Sequence, residues 1–523
     1  ASCPGPTRTS RASAAPTRGD PGQDQRVAGS ALPRREAAMD SVTRRALVAG
    51  VVAGPAALAA CGHSIVPAVV PGPLEVDDQS RLNRTLVSRN IRLTDSDDLS
   101  DRVAIALAVA RAAGSPVCVA GARHCMGGQS LPPERGVAAE LAAPAVQVDA
   151  VKKTCVVQAG TRWRDVLVAL DPHGLSPTVT QSNNDFSLGG TVSVNAHGWA
   201  TPHGPVGDTV TRFRLMLADG SIVECSPERN ADLFGLCIGG YGLFGVLLDI
   251  ELETVDNVWL ERTQTRIPAQ EFASQFTAAV RTPGVNMAYG RLSPVRDGFL
   301  DEALLVTHRP ASDPPSPLPA LRSAGGADLI GRRLFRSQTG SDAGKRLRWW
   351  GETNLVPGQL KPATRNSLMN VSVRTFAGSD PEVTDILHEY FVPPAALDGF
   401  LQDCRRIIPA SRQDLLNITL RWLEADRRSV LAFAPEPRIA LVMLFSQALT
   451  PAAETDMRAL TVQLIDAVLA AGGSFYLPYR LHARPDQLMR AYPRLPEFVA
   501  AKRRLDPELR FQNQMWDRWF ARI

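Results

Sequence analysis

Val103, Ala106, Leu107 and Ala110 fall three and four residues apart, the spacing that lines one face of a helix, in a stretch that opens on Ser and Asp and stops at Gly114. The short apolar run "PVCVAG" behind it has the character of a buried strand. "AVQVDAVKKTCVVQAG" predicts two strands about a tight turn, and "RWRDVLVALDPHG" an amphipathic helix ended by Pro and Gly. "FRLMLADGSIVECS" alternates on both sides of Asp219-Gly220, the strongest short hairpin signal. "MAYGRLSP" and "FLDEALLVTHR" alternate as strands, whereas the proline-rich segment 309–326 reads as a loop insertion. From residue 366 onward "SLMNVSVRTF", "DILHEYFVP", "LLNITLRWL" and "RIALVMLFSQ" are strand-like, with helical patterns at 395–407 and 451–471 among them. Interleaved strands and helices with no fixed-period repeat define an α+β chain.

Composition refines this picture mainly at the N-terminus. The chain has 523 residues, 44% hydrophobic and 21% charged, enough for two or three domains with substantial cores. A net charge of +4, with much of the Arg excess in the first 45 residues, implies no basic face for nucleic acid. Residues 1–38 are rich in Ala, Pro, Arg, Ser and Gly and are expected to form a disordered extension. Segment 39–61 carries Arg44-Arg45 before an apolar run too short to span a bilayer, and ends in "LAAC". It resembles a twin-arginine export signal with a lipobox at Cys61, followed by a tether over 62–80. The expected location is therefore outside the cytoplasm: periplasmic, or held at a bacterial membrane only through a lipid anchor. A generic apolar N-terminal helix is the plainer alternative.

Two motifs invite chemistry that their surroundings deny. Cys118, His124 and Cys125 look like metal ligands, but the chain supplies no second paired set such as HExxH or CxxC, so no metal site is expected. Gly240, Gly242 and Gly245 satisfy GxGxxG, yet the alternating "VLLDIELETV" that follows is a strand, where a nicotinamide fingerprint would open a helix. The glycines in "GARHCMGGQS" and "LGGTVSVNAHG" suit a different use, because bare backbone lets amide N–H groups approach a pyrophosphate.

Taken in order, "VCVAGARHCMGGQS", "QSNNDFSLGGTVSVNAHGWATPHG", the hairpin "LADGSIVE" and "GGYGLFGVL" resemble the PCMH-type FAD-binding domain of the vanillyl-alcohol oxidase superfamily. Among its members the chain is most similar to sugar-type oxidases: aldonolactone oxidases, decaprenylphosphoryl-ribose 2-oxidase and cytokinin dehydrogenase. The resemblance implies an FAD-binding domain over 81–256, a substrate or cap domain over 257–473, and a tail, 474–523, that returns to the first domain. It implies FAD contacts from Gly121, Ala122, Arg123, His124, Cys125, Met126, Gly127 and Gly128 in the first loop. From the second segment it implies Ser182, Ser187, Leu188, Gly189, Gly190, Val194, Asn195, Ala196 and His197, with Val246 and Tyr476 further along. Covalent members attach the flavin 8α-methyl to a first-loop histidine, here His124; a loop histidine that bonds phosphate is the alternative. The later loop has no cysteine, so a second link is not expected.

The implied activity is that of an FAD-linked oxidoreductase taking a hydride from a CH–OH group of a sugar-like or aldonolactone-like small molecule to flavin N5, with oxygen, a quinone or a cytochrome as electron acceptor. Candidates for handling the proton are Tyr476, Glu389, Arg421 and Arg480, with His388, Asn417, Tyr479 and His482 nearby in sequence. Alternation would bring Asn417, Thr419 and Arg421 to one face of a strand; a solvated sheet face is the plainer reading of the same pattern. A lipoprotein that binds flavin or another ligand without turnover is the alternative from another class.

Overall fold

The computed structural model describes residues 70–71, 74–94, 99–322, 332–333, 335–355, 361–376, 378 and 380–523. The expected extension 1–38, the export signal 39–61 and most of the tether lie outside these residues. No helix among the described residues is long and apolar enough to cross a membrane.

Among the described residues three large sheets carry most of the chain, beside a two-stranded one, Glu75–Val76 with Thr85–Leu86. The first runs Val70–Pro71, Arg89–Leu93, Val137–Leu141, Val117–Ala120, with its last three strands parallel. Helix Leu99–Ala112 carries the chain from Arg89–Leu93 across to Val117–Ala120, two places along the sheet, burying Leu99, Val103, Ala106, Leu107 and Ala110. The second is antiparallel, in the order Ile222–Cys225, Val210–Met216, Val246–Asp256, Thr154–Gln158, Val146–Asp149. The hairpin turns at Asp219-Gly220, where Gly220 takes a φ of +94° and the Asp219 carboxylate accepts from Ser221 N at 2.9 Å. GxGxxG does run into an 11-residue strand, Val246–Asp256, as its alternation required.

The third sheet is antiparallel with eight strands: Ala363–Thr364, Trp259–Pro268, Glu302–Pro310, Met287–Leu292, Asp414–Leu423, Arg438–Ala448, Val383–Val392, Ser474–Phe475. Helices Ala269–Val280, Leu397–Ile407 and Pro451–Ala470 bury Phe272, Phe276, Phe400 and Leu464. In "SLMNVSVRTF" the structure differs from the expected strand: Arg365–Met369 is helical and Val373–Thr375 a 3₁₀ turn. Polar side chains capture the backbone there. Thr364 Oγ1 accepts from Ser367 N at 3.2 Å and Ser372 Oγ from Arg374 N at 3.2 Å, which favours caps over ladders.

The last fifty residues connect the third sheet to the first. After Ser474–Phe475, helices Pro485–Ala491 and Leu495–Leu505 lead to an extended segment where Val117 N donates to Arg510 O at 2.7 Å and Gln512 N to Val117 O at 3.1 Å. Lys502, fully buried, donates to Leu243 O at 2.6 Å and pairs with Asp506 at 2.5 Å. Burial pushes its ammonium down to about 8, against the pull of Asp506. Removing one partner of such a pair strands the other charge. Lys502→Met is expected to cost about 3 kcal/mol, since Asp506 keeps its bonds from the Arg510 and Phe511 amides; denaturant unfolding measures it.

Candidate functional site

A cavity of about 800 Å³ lies among the loop after Val117–Ala120, segment 181–199, residues 241–247 and one face of the eight-stranded sheet. Its volume suits a large organic ligand. One side is loop and glycine, the other strand and side chain, and the two differ in chemistry.

On the loop side, Gly121, Ala122, Arg123, His124, Cys125 and Met126 line the cavity. Arg123 sits at φ +53°, in the left-handed region, beneath a carbonyl that accepts from Gln79 N at 3.1 Å. The amides of Ala122, Arg123 and His124 find no acceptor among the described residues, an array of donors of the kind that receives anions. Ser187 Oγ, Ser130 Oγ and Arg123 Nε, also on the cavity wall, are buried without a protein partner. Buried polar groups left bare in this way await a ligand or water. A Cβ on Gly121 would fall 1.9 Å from Ser187 Oγ, so the two loops touch through bare backbone. These features fit the pyrophosphate of a dinucleotide cofactor.

Ser182, Ser187, Gly189, Gly190, Val194, Ala196, His197, Val246 and Tyr476 line the same cavity. Ser182 Oγ also accepts from Trp199 Nε1 at 2.7 Å. Four expected contacts are placed behind the wall instead. Leu188 is fully buried core. Asn195, at φ +49°, spends its side chain on Asp426 at 2.9 Å and on the Gly207 amide at 2.9 Å. Gly127 and Gly128 are bare because the C-terminal segment presses on them: added Cβ atoms would lie 2.3 Å from Tyr479 O and 2.5 Å from Gln514 Oε1. Their sequence signal was genuine but came from packing.

His124 faces Phe186, ring centroids 4.3 Å apart. Burial, with help from the nearby Arg162 guanidinium, pulls its imidazole down to about 4, so the ring is neutral at neutral pH. Cys125 lies beside it, its thiol pushed up by burial. In the structure Cys118, Cys155, Cys225, Cys237 and Cys404 are likewise free.

The opposite wall is built by strand alternation. Asn417, Thr419 and Arg421 do share one face, and it looks into the cavity, where a solvated sheet surface had been the alternative. Glu389 joins them from the strand Val383–Val392, two places across through Val442. His197 Nε2 and Glu389 Oε1 are in hydrogen-bond contact, and Tyr479 Oη donates to Glu389 Oε2 at 3.1 Å. Arg421 Nη1 donates to His197 O at 3.4 Å. Burial works to raise the Glu389 carboxyl, but His197, Arg421 and Tyr479 outweigh it and hold it below the usual range. The second ring nitrogen, His197 Nδ1, is buried with no protein partner. Tyr476 Oη is committed to Val194 O at 2.7 Å, and burial pushes its phenol well up, so it holds the turn and keeps its proton.

Arg480, expected among the catalytic candidates, is not a cavity residue. It pairs with Glu454 at 2.5 Å and donates to Asn83 Oδ1 at 2.9 Å and Met126 O at 3.0 Å, clamping the first loop from behind. His388 and His482 belong with it: one residue from Glu389, His388 points to the other face, where Thr461 Oγ1 meets both rings at 3.3 and 2.9 Å. Tyr289, Arg291 and Trp199 line the cavity and were missed. The signal was present in "MAYGRL", whose Tyr and Arg are two apart and so share a face.

Free amides on one side of the cavity thus face paired polar side chains on the other. Residues 98–226 match the FAD binding domain family. The chain is 35% identical to L-gulonolactone oxidase of Mus musculus over 118 residues, 23% of this chain and 27% of that protein. It is 31% identical to cytokinin dehydrogenase 4 of Arabidopsis thaliana over 203 residues, 35% and 37% of the two lengths. The matched part thus spans about a quarter to somewhat over a third of these relatives. The fold is similar to that of 6-hydroxy-D-nicotine oxidase from Arthrobacter nicotinovorans, with a TM-score of 0.56 and 15% identity over 83% of this chain and 92% of that one.

Proposed function

We propose that this protein is an FAD-dependent oxidoreductase that oxidises a CH–OH group of a sugar-like small molecule, with the loop side of the cavity holding FAD and the sheet side holding the substrate. The single observation that carries the reading is the His197–Glu389–Tyr479 array facing the cavity across from the free amides. FAD, when bound, supplies acceptance of a hydride from the substrate carbon. The protein's own share is to position that carbon and to take the hydroxyl proton. His197 Nδ1 is the open acceptor, while the Glu389 carboxylate fixes the tautomer through Nε2 and stabilises the ring once it is charged. Arg421 balances Glu389, and the neutral Tyr479 phenol supports it by donating a charge-assisted hydrogen bond.

The proposal includes the division into an FAD-binding domain over 81–256, a cap domain over 257–473 and a returning tail over 474–523. It also includes export through the Arg44-Arg45 signal, and oxygen, a quinone or a cytochrome as electron acceptor. A covalent bond from His124 to the flavin 8α-methyl belongs to it too, supported by the placement of this ring on the cavity wall in a neutral form. A covalent flavin stays with the polypeptide after acid precipitation, and that is the expected result. His124→Ala is expected to release all of the flavin to the supernatant. Free flavin from the unaltered protein would refute the bond while leaving FAD binding intact.

A further inference from the structure

The sheet side of the cavity holds more positive charge than the reaction above uses. Arg291 and Arg421 stand on the wall from neighbouring strands, Arg291 directly opposite Thr419 and Arg421 directly opposite Tyr289, so the two are diagonal neighbours. Behind them, Arg348 lies 4.5 Å over the Phe335 ring and Arg262 6.0 Å from the Tyr289 ring centroid; both rings line the cavity. Against these four guanidiniums the described residues set two carboxylates. Glu352 takes Arg291 at 3.1 Å and Arg348 at 2.7 Å, and Glu389 faces Arg421. Arg336 adds nothing to the surplus because Asp385 pairs with it on both oxygens. The Nε atoms of Arg262, Arg291 and Arg421 are buried with no acceptor. Sequestered cations in excess of the carboxylates beside them cost free energy that an anion seated on this wall would recover.

We infer that the cavity wall around Arg291 is a subsite for a carboxylate, and that the substrate is therefore an acid carrying the CH–OH group at some distance from the anionic end. The inference rests on the oxidoreductase reading for the word substrate, but the anion site itself does not. Glu389, Val442, Thr419 and Arg291 are paired in one line across four strands, which separates the Cα atoms of Glu389 and Arg291 by about 14 Å. Side chains reaching inward from both ends leave room for a chain of several carbons, such as a sugar acid, and keep the anion away from the Glu389 carboxylate.

Gluconate and sorbitol test this, since they share a carbon skeleton and differ in carboxylate against CH₂OH. Calorimetric titration of the purified full-length protein with each reads binding directly and needs no turnover. Gluconate is expected to bind at least about tenfold more tightly than sorbitol, and added salt to narrow the gap. Arg291→Met is expected to abolish the preference with flavin content unchanged, and Arg291→Lys to keep part of it. Arg262→Met, further from the ligand, is expected to reduce it partially and serves if the Arg291 variants do not fold. Equal binding, tighter sorbitol, no heat from gluconate, or a preference that survives Arg291→Met would each overturn the proposal. The oxidoreductase reading fails separately, through a flavin that no donor reduces.

Discussion

Glu389→Gln is expected to slow reduction of the bound flavin by substrate about 10²- to 10⁴-fold, the span that a positioned base or its partner contributes, while flavin content is unchanged. The side chain keeps its size and can still meet His197 and Tyr479, so the cavity wall stands. What disappears is the negative charge that stabilises His197 after it takes a proton. Rapid mixing with substrate without oxygen separates this step from flavin reoxidation. Stability gives an independent reading with a definite sign. The native Glu389 carboxyl titrates below its usual value because His197, Arg421 and Tyr479 outweigh its burial, so its contribution is complete above the unfolded value of about 4.3 and is lost as pH falls through the native one. The acid side of the stability profile should therefore be shallower in Glu389→Gln than in the unaltered protein.

Gly121→Ala is expected to abolish tight FAD retention and to destabilise the fold by about 1–3 kcal/mol, the usual cost of overpacking. One methyl group is enough because it would meet Ser187 Oγ at 1.9 Å and Ser187 Cβ at 2.6 Å, forcing apart the two loops that line this side of the cavity. The contrast is Gly399→Ala, inside helix Leu397–Ile407, where an added Cβ meets nothing within 4 Å. That substitution should be neutral or stabilise by up to about 1 kcal/mol through helix propensity. Flavin content after gel filtration and the urea midpoint distinguish the two.

Local periodicity read correctly wherever one face of an element is buried and the other is wet. Helix Leu99–Ala112 and strand Asp414–Leu423 are of this kind, and the latter's alternation brought Asn417, Thr419 and Arg421 together as expected. It failed at 365–375, where Thr364 and Ser372 hydrogen-bond the backbone into helical turns; their apolar neighbours mimic a strand. At the candidate site, bare glycine was visible in the sequence but its cause was not. Gly121 is bare for the close approach of Ser187, and Gly127 and Gly128 for a segment more than 350 residues further along the chain. The contact of His197 with Glu389 spans 192 residues, which no local pattern encodes. Arg480 looked catalytic beside Tyr479 and proved structural because its partner Glu454 arrives from a helix that the motif does not contain.

If this cavity holds a redox-active flavin in working contact with a substrate space, a substrate must bleach it without help from another reductant. Anaerobic titration of the purified protein with sugar acids, sugar alcohols and aldonolactones, followed at the oxidised-flavin absorption band, tests this. The expected result is loss of that band with at least one donor and its return on admitting an electron acceptor. A protein that stays colourless even after incubation with FAD, or a bound flavin that dithionite reduces and no CH–OH donor does, would contradict it.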